Sequence, residues 1–244
     1  MALRLDRALV DQGVLPTRAR AQAAIKAGHV LINGVVASKP SQSVPDGATL
    51  SLEGLEHHWV SRAALKLVGG LDAFDIDPGG LIALDVGAST GGFTQVLLAQ
   101  GVAKVYAVDV GHDQLAPELI DDQRVISLEG LNAKALSKDQ IADPVELIVS
   151  DVSFIGLEKA LPAALNLARS GAHLVALIKP QFEVGPGKVG KGGIVKDPAL
   201  HKEVCQSVET WLGQDMGWNV QGLIESPIEG SDGNKEFLIH GRRP

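Results

Sequence analysis

From Leu81 onward the chain runs through five short apolar stretches of one kind: LIALDV (81–86), KVYAVDV (104–110), RVISLE (124–129), VELIVSDV (145–152) and AHLVALIK (172–179). Each is dense in Val, Ile and Leu and turns polar only at its end, the pattern of strands buried on both faces. The segments 91–100 and 157–168 between them are long enough for helices. Alternation of this kind predicts an α/β fold with an open, doubly wound, mostly parallel sheet. Two later runs, WNVQGLIES and KEFLIHG, have no helix between them and predict an antiparallel hairpin on the sheet edge. Before them, Asp197 is placed as an N-cap with Pro198 at the first helical position, opening a helix over 198–213 that contains Cys205. The stretch 60–74 reads as a helix with Ala64, Leu65, Val68 and Leu71 inward, which puts Lys66 on a different face.

The first 55 residues follow another pattern. Leu5, Ala8 and Leu9 share one face of a short helix that stops at Gly13, and a second helix runs from an N-cap at Thr17 to a C-cap at Gly28. Asn33-Gly34 between two apolar runs is a strong hairpin signal. The turn-rich 39–47 then leads to a short strand, Thr49–Leu52. The expected organisation is a small α+β domain over 1–55, a linker over 56–60 and an α/β domain over 61–244.

Charge sharpens that division. The first 55 residues hold six Lys/Arg against four acids, a net +2 in a chain of net −7, so the remainder carries −9. Arg4, Arg7, Arg18, Arg20 and Lys26 are therefore candidates for nucleic-acid contact, although a merely solvated polar face has the same composition. The lone Cys205 excludes an internal disulfide and fits a reducing compartment. The charged start MALRLDRALVDQG lacks the apolar stretch of a signal peptide, and no apolar run has the length of a membrane helix. A cytoplasmic protein is expected. The seven histidines show no metal-ligand spacing, so no metal is expected.

The candidate chemistry sits at the strand ends, where sheets of this class bind ligands. Asp85 to Thr94 reads DVGASTGGFT, and its glycines let a backbone pass close to a ligand while the following helix presents N–H groups. Asp109, 22 positions after Gly87, falls where an acid would hold a ribose diol. A nicotinamide or flavin dinucleotide would call for glycine at Ser89. S-adenosylmethionine fits better, having a ribose and an amino-acid end but no pyrophosphate. Asp151 ends the fourth strand and Lys179 the fifth, beside the same crevice. A buried ammonium is costly unless it is paired or loses its proton, which makes Lys179 the residue most in need of an explanation. Glu236 opens the last strand. EVGPGKVGKGGIVKD (183–197) reads as a mobile loop, with Lys188, Lys191 and Lys196 available to phosphates.

Taken together, LDVGASTGGFT, VYAVDVG, SDVSF, LIKPQFEVG, KGGIVKDP and SPIEGSDGNKEFL closely resemble the TlyA (haemolysin A-like) family, and the first 55 residues resemble the small RNA-binding domain named after ribosomal protein S-four. The resemblance runs along essentially the whole chain. It implies a Rossmann-like, FtsJ-type, S-adenosylmethionine-dependent methyltransferase acting on the ribose 2′-oxygen of ribosomal RNA, at cytidines. It carries a lysine–aspartate–lysine–glutamate tetrad onto Lys66, Asp151, Lys179 and Glu236. It also places the cofactor against Asp85, Gly87, Ala88, Ser89, Thr90, Gly91, Gly92, Phe93, Asp109 and Asp151, and leaves the adenine contact open between Glu129 and Asn132.

A ribose hydroxyl is a poor nucleophile until its proton is drawn away, whereas a sulfonium methyl is already activated, so such a site must align three atoms and remove one proton. Lys179 is the expected base, with Lys66, Asp151 and Glu236 orienting it and the ribose. The resemblance leaves open whether the target is large-subunit RNA alone or the RNA of both subunits, and the short arm before Leu5 favours large-subunit RNA. A non-catalytic RNA-binding or assembly factor and a membrane-active haemolysin are the alternatives.

Overall fold

The computed structural model describes residues 3–12, 14–15, 18–26, 28–45, 47–52, 59–185 and 187–244, and the chain divides into two compact units, Met1–His58 and Trp59–Pro244. The expected caps at Gly13 and Thr17, and most of the expected linker, lie outside the described residues. Trp59 and Val60, placed in that linker by the sequence, pack instead against the core of the second unit, and the Val60 N–H donates to Gln95 Oε1 at 2.6 Å.

In the first unit β1 (Leu3–Arg4) leads directly into α1 (Leu5–Asp11), followed by α2 (Arg18–Lys26), the strands β2 (Val30–Ile32), β3 (Val35–Val36) and β4 (Ser43–Val44), and β5 (Leu50–Leu52). β2 pairs antiparallel with both β3 and β5, while β1 pairs with β4. Asn33 and Gly34 both have positive φ, as a two-residue hairpin turn between twisted strands requires. Leu5, Leu9 and Ile25 close a small core against Val30 and Ile32.

The second unit opens with α3 (Ala64–Ala73) and then alternates β6 (Ile82–Val86), α4 (Gly92–Ala99), β7 (Lys104–Val108), α5 (Pro117–Ile120), β8 (Val125–Leu128), β9 (Val145–Ser150), α6 (Leu157–Ala160), α7 (Pro162–Leu167) and β10 (Ala168–Ile178). It ends with α8 (Pro180–Glu183), α9 (Pro198–Thr210), which continues into a π-turn at Trp211–Asp215, and the strands β11 (Asn219–Glu225) and β12 (Phe237–Arg242). The seven-stranded sheet has the order β11-β12-β10-β9-β6-β7-β8. β10 through β8 are parallel, and β12 and β11 add the expected antiparallel hairpin at one edge. Strand order reverses beside β6, so the crevice between β6 and β9 opens at the carboxyl ends of both.

Two expected elements differ. The single helix over 157–168 is two short helices, because Pro162 lacks the N–H that a continuous helix would need and instead starts the second one. Helix α3 turns Lys66 inward together with Ala64, Leu67, Gly70 and Leu71, rather than presenting Lys66 on another face. Gly70, four residues on and therefore on the same helical face, explains this. A Cβ there would lie 3.2–3.3 Å from Leu238 and Val175 side chains, so glycine is what lets α3 settle onto β10 and β12.

Candidate active site

Each site residue is delivered by the end of a buried element. Lys179 follows the last residue of β10 and is the N-cap position of α8, where Pro180 occupies the first helical position. Only 9% of Lys179 is exposed. Its Nζ lies 2.5 Å from Asp151 Oδ1 and donates to Ser153 Oγ at 2.8 Å. Asp151 is placed just past β9, and its N–H donates to Val86 O, which ties it to the end of β6. Lys66 and Glu236, 7% and 3% exposed, make the second pair, with Nζ 2.6 Å from Oε2. Burial raises the Glu236 carboxyl above its ordinary range, and the Lys66 ammonium opposes that shift. All four tetrad candidates line one cavity of about 600 Å³, whose wall also includes Ser61, Arg62, Phe154 and Asp232.

A second cavity of about 550 Å³ lies over the carboxyl ends of β6 and β7. Gly87, Ser89, Asp109 and Asp151 contribute its polar side, and Val110, Leu131 and Ile155 an apolar side. Gly87 has positive φ, and a Cβ there would meet the Asp151 carbonyl oxygen at 3.1 Å. The Asp109 carboxylate is fixed by two backbone amides, accepting from Ser89 N at 2.8 Å and Gly111 N at 2.7 Å. Each of its oxygens keeps a further lone pair for a hydroxyl donor. A smaller cavity, lined by Ala88, Thr90, Gly92 and Phe93 together with Gly87 and Ser89, includes Asp151, Ser153 and Lys179 in its wall. Asp151 and Ser153 thus border all three spaces.

The remaining candidates fall into place unevenly. Gly91 lines none of these cavities; its φ of 94° starts α4, and a Cβ would strike Leu119. Asp85 is fully buried beneath the loop instead of facing a ligand, with Oδ2 accepting from Thr94 Oγ1 at 2.7 Å and Oδ1 without a hydrogen-bond partner. Burial pushes its carboxyl up to about 7. Glu129 is consumed by three backbone N–H groups, those of Asp113, Gln114 and Leu115, which hold its carboxyl below the ordinary range. That leaves Asn132, which lines the second cavity, as the better placed of the two adenine candidates. The 183–197 segment is tied down in part: Val195 N donates to Asn234 Oδ1 at 2.9 Å, and Asn234 Nδ2 donates to Gly193 O at 3.0 Å. Lys188 is exposed but paired with Glu203 at 2.7 Å, and Lys191 is exposed. Arg4, Arg7, Arg18 and Lys26 are exposed on the first unit, and the side chain of Arg20 lies outside the description.

Three contributors escape sequence reasoning. Ser153 holds the lysine, and Phe154, 90% exposed with positive φ, packs its ring 5.1 Å from that of Phe182. The signal for both was their place in SDVSF, directly after Asp151. Asp232 reaches the cavity from the β11–β12 turn, where spacing gives no cue.

The model for FtsJ-like methyltransferases matches residues 59–243, which takes in every element of this site. The chain belongs to the FtsJ-like methyltransferase family. A second model, the S4 domain, matches residues 3–50. Among curated relatives of this FtsJ-like chain, the 16S/23S rRNA (cytidine-2'-O)-methyltransferase TlyA of Mycobacterium tuberculosis is 46% identical over 237 residues, 97% of this chain and 88% of that one. The 23S rRNA (cytidine-2'-O)-methyltransferase TlyA of Campylobacter jejuni is 36% identical over 192 residues, 78% of this chain and 74% of the relative. A Streptococcus thermophilus structure named "Putative hemolysin" superposes with a TM-score of 0.78 at 40% identity, covering 99% of this chain and 88% of the other. Among the described residues no helix is long and apolar enough to cross a membrane, and no cluster of three or more His, Cys, Asp or Glu could hold a metal ion.

Proposed function

We propose that this FtsJ-like chain transfers the methyl group of S-adenosylmethionine to the ribose 2′-hydroxyl of a cytidine in large-subunit ribosomal RNA, in a reducing, cytoplasmic setting. The observation that carries the reading is the convergence of two buried lysine–carboxylate pairs on one cavity that shares Asp151 and Ser153 with the glycine-loop cavity. Large-subunit RNA is chosen because it is common to the names of the Mycobacterium and Campylobacter relatives.

The cofactor supplies an electrophilic methyl carbon on a positively charged sulfur. Gly87, Ser89 and Asp109 would hold it, since all three line the second cavity and the fixed Asp109 carboxylate suits a diol. Val110, Leu131 and Ile155 offer apolar surface to a flat base. In the neighbouring cavity Lys179 accepts the proton of the attacking hydroxyl. Its ion pair with Asp151 and its hydrogen bond to Ser153 hold the amine at the wall shared by the two cavities, where a general base would have to stand. The Lys66–Glu236 pair holds the opposite wall and orients the ribose. Phe154 and Phe182 give the target base an aromatic surface to stack on. Arg4, Arg7, Arg18, Arg20 and Lys26 on the first unit, with Lys188 and Lys191 on the second, engage the RNA backbone.

Ribosomal subunits lacking the modification, incubated with the chain and methyl-labelled S-adenosylmethionine, test this. Label recovered as 2′-O-methylcytidine from large-subunit RNA is expected. Label on a base, or none despite measurable cofactor binding, would refute the assignment.

A further inference from the structure

Asp6 is a carboxylate with no solvent exposure in a unit that otherwise buries apolar side chains. Four donors converge on it. Arg4 Nε reaches Oδ1 at 3.1 Å, and Arg4 Nη2, Arg18 Nε and Gln22 Nε2 reach Oδ2 at 3.2, 3.0 and 2.9 Å. The hydrogen bonds from Arg4 lead in holding the Asp6 carboxyl far below the ordinary range, so it remains an anion at any working pH. The two arginines come from different elements, one from β1 and one from the first turn of α2, and their side chains remain 50% and 57% exposed. Asp6 occupies one edge of each guanidinium. Arg4 keeps Nη1 and Arg18 keeps both terminal nitrogens directed elsewhere, and the cluster retains a net positive charge.

We propose that Asp6 is a positioning residue for RNA, holding Arg4 and Arg18 as a rigid pair whose free edges grip neighbouring phosphodiester oxygens; this rests on the RNA-binding reading of the first unit. An arginine held by a buried partner has already lost the rotamer freedom that a free surface arginine must give up on contact. The planar fork also suits a phosphate only when its orientation is fixed. Gln22 contributes the neutral fourth donor, which completes the carboxylate's bonding without adding charge.

Electrostatics and positioning give opposite signs for one variant. Asp6→Asn adds one unit of positive charge, so charge alone predicts tighter RNA binding and a salt slope steeper by about 0.9. Positioning predicts the reverse: about ten-fold weaker binding to an unmodified large-subunit RNA fragment and a shallower slope. It also predicts a raised KM for RNA, with kcat and cofactor affinity unchanged. In an Arg4→Ala background the same Asp6→Asn change should cost much less, because the residue acts through the arginine. The full-length wild-type chain gives a readout that survives misfolding of the variant. Its Arg4 and Arg18 Nε–H groups should appear as restrained, slowly exchanging NMR signals before RNA is added and should shift when it is. Equal or tighter RNA binding by folded Asp6→Asn, additive losses with Arg4→Ala, or freely averaging Nε–H signals in the wild type would each overturn the proposal. Wild-type protein that fails to bind RNA while showing restrained Nε–H signals would instead remove the RNA reading on which the proposal stands.

Discussion

A lysine next to an acid is commonplace on a protein surface and worth little there; at Lys66 and Lys179 burial changes the stakes. Removing one member of a buried pair leaves the other uncompensated, at roughly 3–5 kcal/mol. Lys66→Ala should therefore lower stability by about 3 kcal/mol in urea denaturation, and a second substitution, Glu236→Gln, should restore part of it. Losses that simply add would show the pair to be uncoupled. Asp85 offers the opposite case. Its folded-state value near 7 lies above the unfolded one, so the unfolded chain releases the proton first and stability falls as pH rises from about 4 to 7. Thermal melts of Asp85→Asn should lack that decline and exceed wild type at pH 8; an identical pH profile would contradict it. At this scale the motifs pointed to the four residues that the structure brings to one cavity, but the orientation of Lys66 was hidden. The signal was Gly70, whose meaning depends on the strand side chains it meets across the interface, and no periodicity in the helix itself records those.

Strands and helices were far more legible, because a strand buried on both faces leaves an apolar run that little else produces. The break at Pro162 was legible in principle and was overridden by the apolar pattern around it. The loop from β6 to α4 is fixed by backbone shape as much as by side chains. Gly91→Ala must place a methyl group against Leu119 and Leu115 at a left-handed φ, costing roughly 1–3 kcal/mol. Calorimetry should show a lower Tm and weaker cofactor binding, and an unchanged Tm would mean the turn relaxes freely. Where the antiparallel hairpin meets the parallel strands, His173 on β10 and His240 on β12 are stacked, with a ring-nitrogen separation of 3.0 Å. Burial, chiefly, pulls His240 down to about 4 and lowers His173. The unfolded chain binds these protons first on acidification, so stability should fall as pH drops from about 6.5 towards 4. His240→Phe should blunt that fall in the region below pH 6.5 if the pair is its source.

For the molecule as a whole, charge and chemistry are divided between two units: a basic piece for the polyanion and an acidic piece for the reaction. If the first unit supplies the backbone contacts, Arg7→Ala with Lys26→Ala should weaken RNA binding and reduce the salt slope by roughly 1–2, leaving cofactor affinity untouched; an unchanged slope would place the contacts elsewhere. The central claim concerns Lys179, the amine that directly follows the fully buried run at the end of β10. Single-turnover methyl transfer to large-subunit RNA by Lys179→Ala, measured beside wild type at saturating S-adenosylmethionine, tests it most directly. A rate lowered by at least about a hundred-fold with cofactor and RNA affinities intact is the predicted result for loss of a general base. Transfer at the wild-type rate would contradict it.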